Sequence, residues 1–279
     1  SFYQDDLIGD EVGIPLYFLG KSSNENGIKV VQVGEGADEL FYGYDHWLRF
    51  MKLNSFVRPI TKSRSNSFNF KSHRGNMLSN ILLNRTSFAG GALGFNLPEI
   101  DNLLVDGITE EYNLVNFVDN KWDEYFSNKN SYLSKWMTLI DLQIRLPELL
   151  LMRMDKLVMQ SSIEARVPFL DHKLIEFVLS IPESIIFDKN NTKPLLKKVA
   201  SKHIPKEIFN RKKQGFRAPV GEWIKKDENY FYEAIQEFNS ITGLFDQKYL
   251  NKVISGLDFQ KKWYLANLAK WHISRSVSR

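Results

Sequence analysis

Residues 30–41 read VVQVGEGADELF, an apolar run that ends in a turn holding two glycines and three carboxylates. Val30, Val31 and Val33 are β-branched and show no strict alternation, the pattern of an interior strand of a parallel sheet. Gly34 and Gly36 let the backbone bend and approach a ligand closely. The helix predicted to follow, ADELFYGYDHWLRFMKL, aims its positive end at the same turn. Asp38 and Glu39 there either complement that dipole or serve a ligand. Backbone N–H groups alone suit phosphate, and carboxylates repel it. A Mg²⁺ ion reconciles the two, because it takes one or two carboxylates and keeps phosphate oxygens and waters. Asp38 is the chosen metal ligand, and Glu35 the contact to substrate or nucleotide.

Upstream, GIPLYFLGKSSNENG predicts a helix with Pro15 in its first turn and a stop at Asn26-Gly27. Helix, strand, acidic glycine turn and helix form the grammar of an α/β sheet that binds ligands at strand ends. Downstream the chain reads as mainly helical. YLSKWMTLIDLQIR is one helix, and LPELLLMRMDKLVMQSSIEARVPFL begins another, with Pro147 in its first turn. HKLIEFVLSIP, PLLKKVASKHIP and YLANLAKWHISRS are further helices. Only one strand is recognisable, and one strand cannot satisfy its own N–H and C=O groups. The remaining strands are therefore expected in chain outside these 279 residues. The Ser/Asn/basic stretch TKSRSNSFNFKSHRGN at 61–76 reads as a loop.

Composition is that of an ordinary globular chain, with 43% apolar and 25% charged residues. There is no cysteine, which excludes disulfides, thiolate metal sites and a Cys nucleophile. No apolar run approaches the ~18 residues of a membrane span. The acidic start has no basic n-region of a signal peptide. The expected location is cytoplasmic. His46 to Pro98 contains no acid and eight Lys/Arg, and Lys189 to Arg217 holds ten Lys/Arg against Glu207. Such patches attract anions or are merely solvated. No nucleic-acid motif accompanies them, so nucleic acid is not an expected partner.

Three ordered blocks resemble the asparagine synthetase family. VGEGADELFYGY is similar to S-G-E-G-S/A-D-E-L/I/V-F-x-G-Y. LLMRMDKLVMQSSIEARVPFLDHKLIEFVLSIP resembles R-x-D-x-x-x-M…E-x-R-x-P-F-L-D. NTKPLLKKVASKHIPKEIFNRKKQGFRAPVGEWI resembles T-K-x-L-L-R/K…R-x-K-x-G-F-x-x-P…W. The resemblance implies a helix-rich α/β fold with few parallel strands, the C-terminal portion of an adenine-nucleotide alpha-hydrolase-like ATPase domain. It also implies ATP and Mg²⁺, adenylation of a carboxylate (aspartate above all), attack by glutamine-derived ammonia, and release of AMP and pyrophosphate. Residue by residue, it places Val33, Gly34, Glu35 and Gly36 at the nucleotide and Asp38 on Mg²⁺-pyrophosphate. Lys193 becomes the catalytic lysine, with Glu35 and Glu148 near the acyl centre.

Lys193 also has a reading of its own, in a helix start capped by Thr192 with Pro194 as an early helical residue. The plain alternative is a flexible exposed side chain. Glu164, Arg166 and Asp171 are expected to form a partly buried ion-pair network. Arg153, Asp155 and Lys156 do likewise or line a path for ammonia or substrate. His46, His172, His203 and His272 lack metal-like spacing.

Two departures stand out. Val33 replaces the pattern's serine, and Tyr42 replaces the first glycine of F-G-G-Y. The family's pyrophosphate loop, S-G-G-x-D-S, and its glutaminase domain with a catalytic Cys are absent from residues 1–279. The chain is thus expected to be one domain, the C-terminal part of a synthetase domain, inactive by itself, with a homodimer open for the full-length protein. The alternatives are an amidotransferase acting on a sugar carboxylate, an intramolecular amide former of the β-lactam synthetase type (which tends to carry Tyr at the Glu35 position), and a non-catalytic scaffold of the same fold.

Overall fold

The computed structural model describes residues 7–57, 94–95, 97–107, 114–127, 132–205, 207–208, 215 and 218–276. The loop at 61–76, most of the first basic run and residues 209–214 of the second lie outside the described residues.

Helix α1 (Gly13–Glu25) carries Pro15 in its first turn and ends at Asn26, with Gly27 at φ 72°. Strand β1 (Val30–Gln32) pairs in parallel with β2 (Glu164–Arg166), in the register Val30 to Glu164, Val31 to Ala165 and Gln32 to Arg166. Hydrogen bonds from Glu164 N–H to Lys29 O and from Val33 N–H to Arg166 O, both 2.9 Å, extend the ladder. A second strand therefore lies where the sequence suggested helix and turn. Glu-Ala-Arg has no β-branched residue, so only its pairing reveals it. β1 is also less interior than expected. β2 is its neighbour among the described residues, and Val30 is 40% exposed.

The predicted helix after the turn is two. Short α2 (Ala37–Phe41) stops at Tyr42, which adopts a left-handed φ of 59°, and α3 (Asp45–Val57) starts afresh. Gly43 N–H bonds back to Asp38 O at 2.8 Å and closes the break. Helices α4 (Leu97–Leu103) and α5 (Leu114–Phe126) follow.

The two helices expected on either side of Pro147 are one rod. It comprises α6 (Leu133–Ile140), a π-helical segment (Asp141–Leu151) and α7 (Met152–Met159). Pro147 sits inside it. A proline lacks its N–H and crowds the carbonyl four residues back. The wider π turn moves that carbonyl aside, and such segments often mark functional sites.

A 3₁₀ turn (Pro168–Leu170) leads into α8 (His172–Ser180), then α9 (Glu183–Ile186) and α10 (Pro194–Ala200). The C-terminal helices are α11 (Val220–Lys226), α12 (Glu228–Thr242), α13 (Gln247–Ser255) and α14 (Phe259–Ser276).

Apolar side chains collect in three clusters. Leu40, Phe41, Tyr42, Trp47, Trp136, Met137 and Ile140 pack beneath α2. Leu16, Met154, Leu157 and Ile163 join α1 to α7. Ile235, Phe238, Leu250 and Leu265 fill the C-terminal helices. The C-terminal group is tied back by Trp263 Nε1 to Gly9 O at 3.0 Å and Asn267 Nδ2 to Ile8 O at 2.8 Å. Trp47 and Trp136 are fully buried. No helix of the described residues is long and apolar enough to cross a membrane.

Candidate functional site

The turn after β1 takes the shape its glycines allow. Gly36 has φ 89°, and a Cβ there would collide with Leu170. Only glycine combines that dihedral with that packing. Gly34 faces open space. The Ala37 N–H closes the turn onto Gly34 O at 3.2 Å.

α2 then sends two neighbouring acids in opposite directions. Asp38 points to the surface side, where its Oδ1 lies 2.8 Å from Lys193 Nζ. The two side chains are 26% and 24% exposed, so the pair is partly shielded from water. Lys193 is held rather than flexible. It sits at φ 52° as the residue before α10, with Pro194 at the first helical position, and its N–H reaches Tyr42 O at 3.4 Å. Thr192, the expected cap, instead accepts a hydrogen bond from Lys197 Nζ at 3.3 Å. Gly43 makes room for the pair, because a Cβ there would overlap both the Asp38 carboxylate and Lys193 Cε.

Glu39 points inward and is 1% exposed. It accepts from Arg145 Nη2 at 2.9 Å and from the Tyr44 hydroxyl at 2.5 Å, while its backbone carbonyl accepts from Thr138 Oγ1 at 2.9 Å. Arg145 also approaches Asp141 at 3.0 Å, one turn away on the π segment, and stacks on the Tyr44 ring at 4.5 Å. Neither Asp141 oxygen has a well-aligned donor. One guanidinium thus faces two buried carboxyl groups. Burial pushes the Asp141 carboxyl up to about 7, Arg145 pulls it down, and Glu39 adds to the rise. Burial raises the Tyr44 hydroxyl as well. Sequence reading missed Arg145, Asp141 and Tyr44, and read Glu39 as a dipole partner or a ligand contact, not as the buried partner of Arg145.

Glu35 faces a second cation. Arg153, itself 6% exposed, bonds Asp10 and stands 4.0 Å from Glu35 Oε1. Burial raises the Glu35 carboxyl above the ordinary range. Arg153 offsets part of that, and Glu39 and Asp38 add to it. Burial likewise raises Asp10, against the pull of Arg153. Arg153 therefore serves the turn, rather than its sequence neighbours Asp155 and Lys156.

Val33, Gly34, Glu35, Gly36, Asp38 and Lys193 are thus brought to one place. Glu148 is not visibly part of it. It is exposed on the π segment and makes no ion pair with a described residue. The expected buried network of Glu164, Arg166 and Asp171 is not found. Glu164 and Arg166 pair at 2.8 Å but are 54% and 61% exposed, because they alternate outward on β2. Asp171 is the N-cap of α8, accepting from Lys173 N–H at 2.9 Å and Leu174 N–H at 3.3 Å.

No cluster of three or more metal-type side chains occurs among the described residues. Asp38 is the carboxylate that would hold a Mg²⁺ drawing its other ligands from phosphate and water, since that ion needs only one or two from the protein. With Lys193 beside it, the arrangement suits an anionic ligand carried with a cation.

A protein-family model described as asparagine synthase matches residues 1–273. Asparagine synthetase [glutamine-hydrolyzing] 1 of Bacillus subtilis is 27% identical over 279 residues, covering 96% of this chain and 44% of the relative. A putative asparagine synthetase of Mycobacterium tuberculosis is 27% identical over 242 residues, 81% of this chain and 35% of the relative. Human asparagine synthetase is 34% identical over 90 residues, 31% of this chain and 15% of the relative. The chain therefore spans less than half the length of the curated relatives it matches.

Proposed function

We propose, from the premise that this chain belongs to the asparagine synthase family, that it supplies the Asp38–Lys193 half of an ATP-dependent amide-forming site. In this reading residues 1–279 are one domain, the C-terminal part of a synthetase domain, and a pyrophosphate loop and glutaminase domain lie in chain outside them. A carboxylate, aspartate first among candidates, attacks the α-phosphorus of ATP. The P–O bond to pyrophosphate breaks and an acyl-adenylate forms. Ammonia from glutamine attacks the acyl carbon, a proton is lost, and AMP leaves.

Lys193 supports the charge that develops on the phosphoryl and acyl oxygens, a preorganised electrostatic role. Asp38 holds that ammonium in place and is the residue that would carry Mg²⁺, which neutralises phosphate charge when bound. Glu35 faces the substrate, its carboxyl held above the ordinary range by burial. Val33 and Gly34 offer backbone to the nucleotide, and Glu148 is assigned to the acyl side.

The single observation that carries this reading is the 2.8 Å contact between Asp38 and Lys193, residues from two separate signature blocks. Had they lain on opposite faces, the ligase reading would fail. In the full-length protein, Lys193→Ala should lower ATP-dependent pyrophosphate release by about 10²-fold or more and leave the melting temperature near that of the parent. Unchanged release would favour a scaffold of the same fold. The same assay, run with aspartate and with a uronic acid, separates asparagine synthesis from amidation of a sugar carboxylate. Val33 and Tyr42 depart from the family pattern and make that comparison necessary.

A further inference from the structure

We infer that Tyr42 is a positioning residue that clamps both ends of the loop carrying Lys193. The inference deepens the proposed function and rests on Lys193 acting there.

Tyr42 is buried at 3% exposure and sits in the left-handed region at φ 59°. A non-glycine residue with φ above zero is costly and persists only where its surroundings hold it. Here they do. Its ring meets Phe187 edge-to-face at 5.2 Å and Trp47 at 6.3 Å. Its hydroxyl lies beside Ser134 and Thr138 on α6. Phe187 ends α9 and opens the loop, and Lys193 closes it. The Tyr42 carbonyl receives the Lys193 N–H at the far end.

Between those ends the loop braces itself through Asp188. That carboxylate accepts from Asn190 N–H at 2.8 Å and Asn191 Nδ2 at 2.5 Å. Tyr42 therefore reaches the loop's entry with its side chain and its exit with its backbone. Gly43, the next residue, has no side chain to obstruct the ammonium on its way to Asp38. Where the family pattern has glycine, the backbone contact is available and the ring contact is not.

The clamp predicts a local effect. In Tyr42→Gly the left-handed backbone is kept and the ring is lost. Hydrogen exchange at the Lys193 amide should quicken about tenfold or more relative to the α12 and α14 amides. Acylation of the Lys193 amine by acetic anhydride, with acetate as leaving group, should quicken with it. Tyr42→Phe should restore both to near the parent values. Leu250→Ala, a truncation in the C-terminal cluster, lowers global stability and should leave both unchanged relative to the rest of the chain. In the full-length enzyme, Tyr42→Gly should lower kcat by about 10–100-fold with a smaller change in the KM for ATP.

Exchange and labelling read the loop without catalysis. If they respond and no amide forms, the clamp stands and the proposed function falls. If Tyr42→Gly leaves the Lys193 amide as protected as before, or Leu250→Ala loosens it equally, the clamp is overturned.

Discussion

Residues 33–45, with the π segment behind them, and the C-terminal helices from Val220 to Ser276 bury polar groups in opposite ways. In the C-terminal helices the few buried polar side chains are fully served. Asn239 bonds Phe245 through both its amide nitrogen and its oxygen and also reaches Gln247. Lys262 runs its stem through the core to meet Glu228 at 2.7 Å. Around the turn, Asp10, Asp141, Arg145 and Arg153 each keep at least one buried atom without a hydrogen-bond partner, and no such atom is found between Val220 and Ser276. Each such atom forfeits part of its hydration. The difference separates two duties. One region supplies stability, and the other holds charges at fixed places at the expense of stability.

The largest expected effect tests the charged region. Arg145→Met should destabilise the chain by about 3–5 kcal/mol in urea unfolding, because Glu39 and Asp141 would be left buried without their cation. Replacing all three by apolar residues of similar volume should cost less than the single change. If the single change is nearly neutral, the turn region is not under electrostatic load. Leu250→Ala should cost about 2–5 kcal/mol, since its side chain is fully buried. That loss should appear in thermal unfolding and leave the Lys193 amine's reactivity alone. A matched change in reactivity would erase the contrast between the regions.

Acid–base behaviour sharpens it further. Asp141 has its folded-state value raised to about 7, above the ordinary 3.8. The native state therefore binds the proton more tightly than the unfolded chain. The stability so gained is complete below pH about 4 and is lost as pH rises toward about 7. Asp141→Asn should flatten that slope in urea midpoints taken across the range. A slope unchanged by the substitution would place its origin elsewhere. The smallest effect belongs to the C-terminal region. Asp246 caps α13 by accepting from Tyr249 N–H at 2.7 Å, and Asp246→Ala should cost about 1 kcal/mol by chemical denaturation.

The two regions also differed in legibility. Glu35, Asp38 and Lys193 could be found because their spacing and neighbours form signature blocks, and the structure brings all three to the turn. Arg145 and Asp141 could not, since a charged pair one turn apart on a helix ordinarily reads as a solvated face. Both lie on the π segment, which sequence periodicity cannot report when Pro147 imitates a helix start. Glu164-Ala165-Arg166 hid its strand because pairing with β1, not propensity, makes it one. Asp171 was recoverable. An Asp directly before HKLIEFVLS is an N-cap signal, and reading it as an ion-pair member overlooked that. The left-handed Tyr42 was visible only as an oddity against the family pattern. Its reason lies in packing that residues 134, 138 and 187 contribute from far along the chain.

Gly43 carries no functional group, yet it polices the contact between two that do. The atoms a methyl would strike belong to the Asp38 and Lys193 side chains rather than to backbone, so they can be displaced from each other at little expense to folding. Gly43→Ala is thus a wedge rather than a lesion. A survey of tolerated substitutions should find this position nearly as restrictive for growth as Lys193 itself, while the soluble yield of the same variants stays ordinary.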